Sequence, residues 1–195
     1  MNVIALKSLF NAVTPIADNE WNDFETFFSE KFISKNDYLW KYGDVCKHLV
    51  FINSGLIRVY KDTETKEIIT HFYFENNLFY DDYSFVSLKP CMVSYQALED
   101  TKLIIISRDA INLMYDKYKS FERLGRLIIE QSHIQYISEQ ENIKNMSSKQ
   151  KYEKLISEHP KILKRVPLKY IASYLNMTPE YLSKLRNELV RKTNF

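Results

Sequence analysis

Over residues 31–107 the chain is a succession of short runs rich in Val, Ile, Phe and Tyr, broken by turn residues; beyond Ser107 the pattern is helical throughout. That single change of period constrains the fold more than any other feature. Strands first and helices afterwards is not the alternating order of a parallel βαβ sheet, and it predicts a segregated α+β chain. The runs HLVFINSG, LIRVYKD, EIITHFYF, MVSYQALED and KLIIIS read as strands. Asn53-Ser54-Gly55 turns between two of them, and residues 62–66 close a hairpin. Many short strands with close turns predict an antiparallel β-roll, or jelly roll.

Helices flank this region. Leu6, Leu9, Phe10 and Val13 recur at helical spacing, and a second helix is expected over residues 18–29. Asp18 would be its N-cap, with Trp21, Phe24, Phe27 and Phe28 on its apolar side. After the roll come a helix over 108–119 and a longer one over 120–145. On the longer helix Leu124, Leu127, Ile128 and Ile134 lie close to one stripe that continues through Gln131 and Ser138, which fits a two-helix dimer contact. The same stripe could instead pack on its own β-domain, and both can hold along different faces. Ser147 or Ser148 is positioned to cap the next helix, and Pro160 to end it. The expected division is therefore a β-roll domain over 1–119, a dimerisation helix over 120–145 and a helical domain over 146–195.

Charge separates the two ends. Residues 144–195 hold twelve Lys and Arg against four Glu, whereas residues 1–143 hold fifteen against twenty-one acids, within a total of +2. A basic module that meets a polyanion, or an ordinary solvated basic face, would each produce this split.

The stretch VPLKYIASYLNMTPEYLSKLRNELVRK, residues 166–192, favours the first, although a plain helical hairpin is its bland alternative. Pro167 suits a first helical turn, and Ile171, Ala172 and Leu175 supply a buried face. Asn176 tolerates the left-handed conformation of a tight turn. Thr178 can then cap a second helix, with Pro179 at its first position and Glu180 at the positive end of its dipole. At 100° per residue Leu182, Leu185 and Leu189 form its inward stripe, and Glu180, Lys184, Asn187 and Arg191 face the other way. This is the anatomy of a recognition helix. Lys184 could reach guanine acceptors, Asn187 base edges and Glu180 a cytosine amine. Thr178, Tyr181 and Ser183 sit where hydroxyls meet phosphates. Arg186 projects near the edge of the leucine stripe, open to a phosphate or to an acidic neighbour.

Other chemistries have little support in the residues. Cys46 and Cys91 are the only cysteines, too few for a disulfide scaffold, and they lack the spacing of a zinc or iron–sulfur site. No HxH cluster serves a cupin-type metal. The segment MNVIALKSLFNAV has no unbroken apolar core of a signal peptide, and no run is long enough to cross a bilayer, so the cytoplasm is the expected location. A small cupin-like enzyme and a protein-interaction module remain the alternatives to a DNA-binding regulator, which would not be an enzyme.

The chain resembles the Crp/Fnr family of transcription regulators. Its tail KYEKLISEHPKILKRVPLKYIASYLNMTPEYLSKLR, with IAxYL, a turn and TPEYLSKLR, is especially similar to a branch of that family common in Bacteroidetes. The resemblance implies a cyclic-nucleotide-binding-type β-roll, a dimerisation helix and a winged helix-turn-helix. It implies double-stranded DNA, a second copy of the chain and RNA polymerase as partners, and it places base reading at Glu180 and Lys184. Pro179 stands where the cyclic-AMP-responsive members have an arginine, which implies a different operator. The phosphate cassette of the family maps to NLFYDDYSFVSLKPCMVSYQALED, with Tyr80 at its glycine, Asp81 at its glutamate and Cys91 at its arginine. A cyclic phosphate without a bidentate guanidinium gains too little for its lost water. Cyclic AMP and cyclic GMP are accordingly not expected as effectors. Phe74, Tyr80, Asp81, Asp82, Tyr83, Cys91 and Met92 would line or fill the effector site, with Phe79 and Phe85 helping to close it, and any small-molecule effector is unidentified. His48, His71 and His133 are haem ligands by type, but a lone His more often serves structure, and no cofactor is expected.

Overall fold

The protein is described by a computed structural model that covers residues 3–144 and 146–193; the side chains of residues 139, 140, 143, 144 and 189–193 lie outside the description. Its elements run α1 (Ile4–Val13), α2 (Asp18–Glu25), β1 (Phe28–Ile33), β2 (Tyr38–Trp40), β3 (His48–Ser54), β4 (Ile57–Asp62), β5 (Glu67–Tyr73), β6 (Leu78–Phe79), α3 (Asp82–Ser87), β7 (Ser94–Ala97) and β8 (Thr101–Ser107). Six helices follow: α4 (Arg108–Lys117), α5 (Lys119–Lys144), α6 (Ser148–Glu158), α7 (Ile162–Arg165), α8 (Leu168–Tyr174) and α9 (Pro179–Thr193). The α+β class expected from the period change is what forms.

The strands make two four-stranded sheets, ordered β1-β8-β3-β6 and β2-β7-β4-β5. β8 sits between β1 and β3, antiparallel to both. Consecutive β3 and β4 fall in different sheets, so the Asn53-Ser54-Gly55 segment is a crossing between layers rather than a hairpin. Gly55 is required there twice over. Its φ is +112°, and a Cβ would collide with the Thr101 side chain and Cα. The hairpin over residues 62–66 does form, closed by Thr63 N–H donating to Lys66 O at 3.0 Å.

The second helix is shorter than the apolar pattern predicts. It stops at Glu25, and Phe28 begins β1 opposite Ile106. Pairing with β8 outweighs the helical spacing of Phe27 and Phe28, because a strand's preference is set by its sheet neighbours. Nor is Asp18 the cap: extended Ala17 holds that place, and Asp18 opens the helix with its carboxylate 2.7 Å from Lys7 Nζ.

The residues group into two compact units, 1–59 with 72–136, and 60–71 with 137–195. In the first unit one core joins α1, α2, α4 and the start of α5 to the sheet through Phe10, Trp21, Phe24, Phe28, Met114 and Phe121. Phe24 meets Phe28 and Phe121 edge-on, with centroids 4.8 Å apart in each pair. A second core fills the roll between the sheets. In the second unit α6 opens with a full capping box, Ser147 Oγ to Gln150 N–H and Gln150 Oε1 to Ser147 N–H. Its buried apolar residues include Tyr152, Leu155, Ile162, Val166, Ile171, Ala172, Leu175, Leu182 and Leu185.

Candidate functional site

The basic unit is built as a helix-turn-helix. Pro167 caps α8, and Ile171 and Ala172 are fully buried. Ala172 O accepts from Met177 N–H at 2.8 Å across the turn, with Asn176 in the left-handed region at φ +54°. Thr178 Oγ1 accepts from Tyr181 N–H at 3.2 Å, and Pro179 opens α9 as its sequence position requires. Leu182 and Leu185 are buried. Thr178, Glu180, Tyr181, Ser183, Lys184, Arg186 and Asn187 are all exposed.

Four of these, Glu180, Ser183, Lys184 and Asn187, border one shallow concavity with Glu188, which the sequence reading did not single out. Arg186 makes no ion pair among the described residues. Its charge lies near the buried Tyr152 hydroxyl: burial raises that phenol's pKa, and Arg186 opposes the rise. The side chains of Leu189 and Arg191 lie outside the described residues.

The long helix divides its stripe. Leu124 is 3% exposed and belongs to the first unit's own core, with Ile128 packed against it. Leu127 is half-buried, Gln131 is exposed, and Ile134 is 67% exposed. Ile129, Tyr136 and Ile137 are also exposed large apolar residues on this helix. Of the expected dimer residues Leu124 is therefore consumed within the chain, and Ile134 presents its surface to solvent.

The expected effector residues also separate. Asp81 is 4% exposed and both its oxygens are engaged. Oδ1 accepts from Ser84 N–H at 2.7 Å, capping α3, and Oδ2 accepts from the Tyr95 hydroxyl at 3.0 Å. Burial, with the Asp81 charge second, pushes the Tyr95 phenol far above its ordinary range. Phe74 is 9% exposed. Tyr80 packs against Phe85 at a tilt, with centroids 4.6 Å apart, and burial raises its phenol pKa. Cys91 is buried, whereas Asp82, Tyr83 and Met92 are on the surface.

Four aromatics occupy the roll: Tyr73 stacks on Phe79 at 4.0 Å, Phe79 on Tyr95 at 6.0 Å, and Trp40 meets Tyr95 edge-on at 5.0 Å. Of these only Phe79 was anticipated. Trp40 and Tyr95 lie on short β2 and β7, whose pairing no local pattern announces. Arg58 was likewise missed. It is 3% exposed on β4, and its Nε donates to Gln96 Oε1 at 2.9 Å. Among the described residues no group of three His, Cys, Asp or Glu is arranged to hold a metal, and no helix is long and apolar enough to cross a membrane.

Residues 30–118 match the family described as the cyclic nucleotide-binding domain. Among solved structures the chain is similar to FixK2 from Bradyrhizobium japonicum, with TM-score 0.65 and 14% identity over 85% of this chain and 86% of that one. It is similar to CLP, the c-di-GMP-responsive global regulator of Xanthomonas campestris, with TM-score 0.63 and 10% identity over 91% and 93%. The Catabolite Activator Protein of Thermus thermophilus gives 0.56 and 14% over 92% and 86%. No curated protein sequence matches the chain.

Proposed function

With a cyclic nucleotide-binding-type domain over residues 30–118 set in the fold of Crp/Fnr-type transcription regulators, we propose that the protein is a homodimeric regulator that reads a pseudo-palindromic operator. The observation that carries this reading is α9. Leu182 and Leu185 are buried, and Glu180, Ser183, Lys184 and Asn187 share one open face after a left-handed turn at Asn176. A helix so arranged can lie in a major groove, and a two-fold pair of them spans half-sites about one helical turn apart. The exposed Ile134 and Ile137 on α5 supply an apolar seam for the second copy. RNA polymerase is the partner such a regulator would meet.

The effector domain is degenerate in this reading. Asp81 is committed to Ser84 and Tyr95, Cys91 offers no cation, and the roll carries its own aromatic stack. Cyclic AMP and cyclic GMP therefore do not regulate the protein.

Selection of bound duplexes from a random pool, followed by binding across a salt series, tests the core of this proposal. A two-fold consensus with a steep salt slope is the expected result. Recovery of no enriched sequence, with no salt-dependent binding, would overturn it.

A further inference from the structure

β5 is the edge strand of its sheet, and an edge strand leaves backbone groups unpaired along its outer side. At Glu67 and Ile69 those groups are closed by one hydroxyl. Ile69 N–H donates to Ser173 Oγ at 3.0 Å, and Ser173 Oγ donates to Glu67 O at 3.1 Å. Ser173 belongs to α8, the first helix of the helix-turn-helix, and acts as donor and acceptor where a neighbouring strand would. The tip of the β4–β5 hairpin, residues 60–71, accordingly groups with 137–195. Its residues are the only strand residues of that unit among those described. Among the described residues no other hairpin accompanies the helices of this unit.

Lys66 and Ile68 of this hairpin, Lys169 and Tyr170 of α8, and Thr178 and Glu180 at the start of α9 line a cleft of about 630 Å³. Glu180 also borders the concavity that holds Lys184 and Asn187, so the cleft runs on from the base-reading face. Lys66 has no carboxylate partner among the described residues. Lys169 has only the Tyr170 ring, 4.9 Å from its ammonium. We propose that the β4–β5 hairpin is the wing of this helix-turn-helix and that Lys66 takes a backbone phosphate of double-stranded DNA, facing Lys169 across the cleft. The inference rests on the DNA-binding reading above. The tip also carries Asp62 and Glu64 against Lys61 and Lys66, so it adds a single local contact rather than a broad positive field.

The test is binding of the full chain to a random-sequence duplex and to a selected operator, at about 50 and 200 mM salt. Lys66→Ala should weaken both duplexes by the same factor. It should also reduce the affinity lost between the two salts by about 3.5-fold, the share of one phosphate. Lys61→Ala, outside the cleft, should keep the wild-type slope. Ser173→Ala should reproduce the Lys66→Ala defect and leave Lys66→Ala without further effect, while Ser173→Thr keeps the hydroxyl and the wild-type slope. Unchanged affinity and slope in Lys66→Ala would overturn the wing, as would tighter binding, which would make the hairpin a barrier, or an equal effect from Lys61→Ala. A wild-type chain that binds neither duplex would instead overturn the DNA-binding reading itself.

Discussion

The Tyr95 hydroxyl donates to Asp81 Oδ2 at 3.0 Å inside the roll. The resemblance would put at Asp81 a carboxylate free for a ribose; in the structure that carboxylate holds β7 to the start of α3. Asp81→Ala should cost about 3 kcal/mol in denaturant unfolding, since it removes a helix cap and leaves a buried hydroxyl without its acceptor. Calorimetry at millimolar cyclic AMP or cyclic GMP should show no binding tighter than millimolar. Micromolar affinity for either would restore the pocket.

Leu124 and Ile134 should part company when mutated. Leu124→Ala should destabilise the first unit by about 2–5 kcal/mol, as the loss of a core side chain does, and leave the oligomeric state alone. Ile134→Lys with Ile137→Lys should leave folding intact and give a monomer by light scattering, because the charges would lie in the seam. A dimer that survives the lysines would remove this part of α5 from the interface.

Lys184→Ala should weaken operator binding by roughly 1–3 kcal/mol and relax preference at one base pair. Parallel selection with the variant reads this directly. An unchanged consensus would take Lys184 out of base reading.

Gly125 lies under Tyr115, where a Cβ would meet the phenol hydroxyl and ring. Gly125→Ala should lower the unfolding free energy by about 1–3 kcal/mol, the range for overpacking a tight core. In a Tyr115→Leu background the same change should cost much less. Equal costs in both backgrounds would show that α4 and α5 adjust without strain.

Burial first, and then Lys31 and Lys47, hold the His48 imidazole below its ordinary pKa of 6.5. The folded state thus resists protonation more than the unfolded chain does. The stability is fully present above pH 6.5 and is lost as pH falls through the depressed folded value. Thermal melts between pH 7.5 and 5.5 should fall more steeply for the wild type than for His48→Gln. Parallel curves would exclude His48 as a source of the slope. His159, also depressed by burial, adds to the slope in the same direction.

The helix-turn-helix was legible in the sequence because each of its signals is local. Pro167, Asn176, Thr178 and Pro179 each dictate their own backbone state, and the leucine spacing fixes which face is buried. The capping box at Ser147 and the long helix are local in the same way. What the sequence left open depends on partners far away along the chain. Phe28 continues an apolar helical spacing, yet it starts β1 because Ile106 lies opposite it. Asp81 reads as a ligand carboxylate until Tyr95 arrives from another strand. Leu124 and Ile134 share one stripe, and only the packing of α5 on the β-roll unit's core buries the first and exposes the second. Ser173 is an unremarked residue of α8 until the β5 edge, 104 positions earlier, presents an unpaired amide to it. Local conformational preference is written residue by residue; burial and long-range pairing are set by which surfaces meet, and only the folded chain decides that.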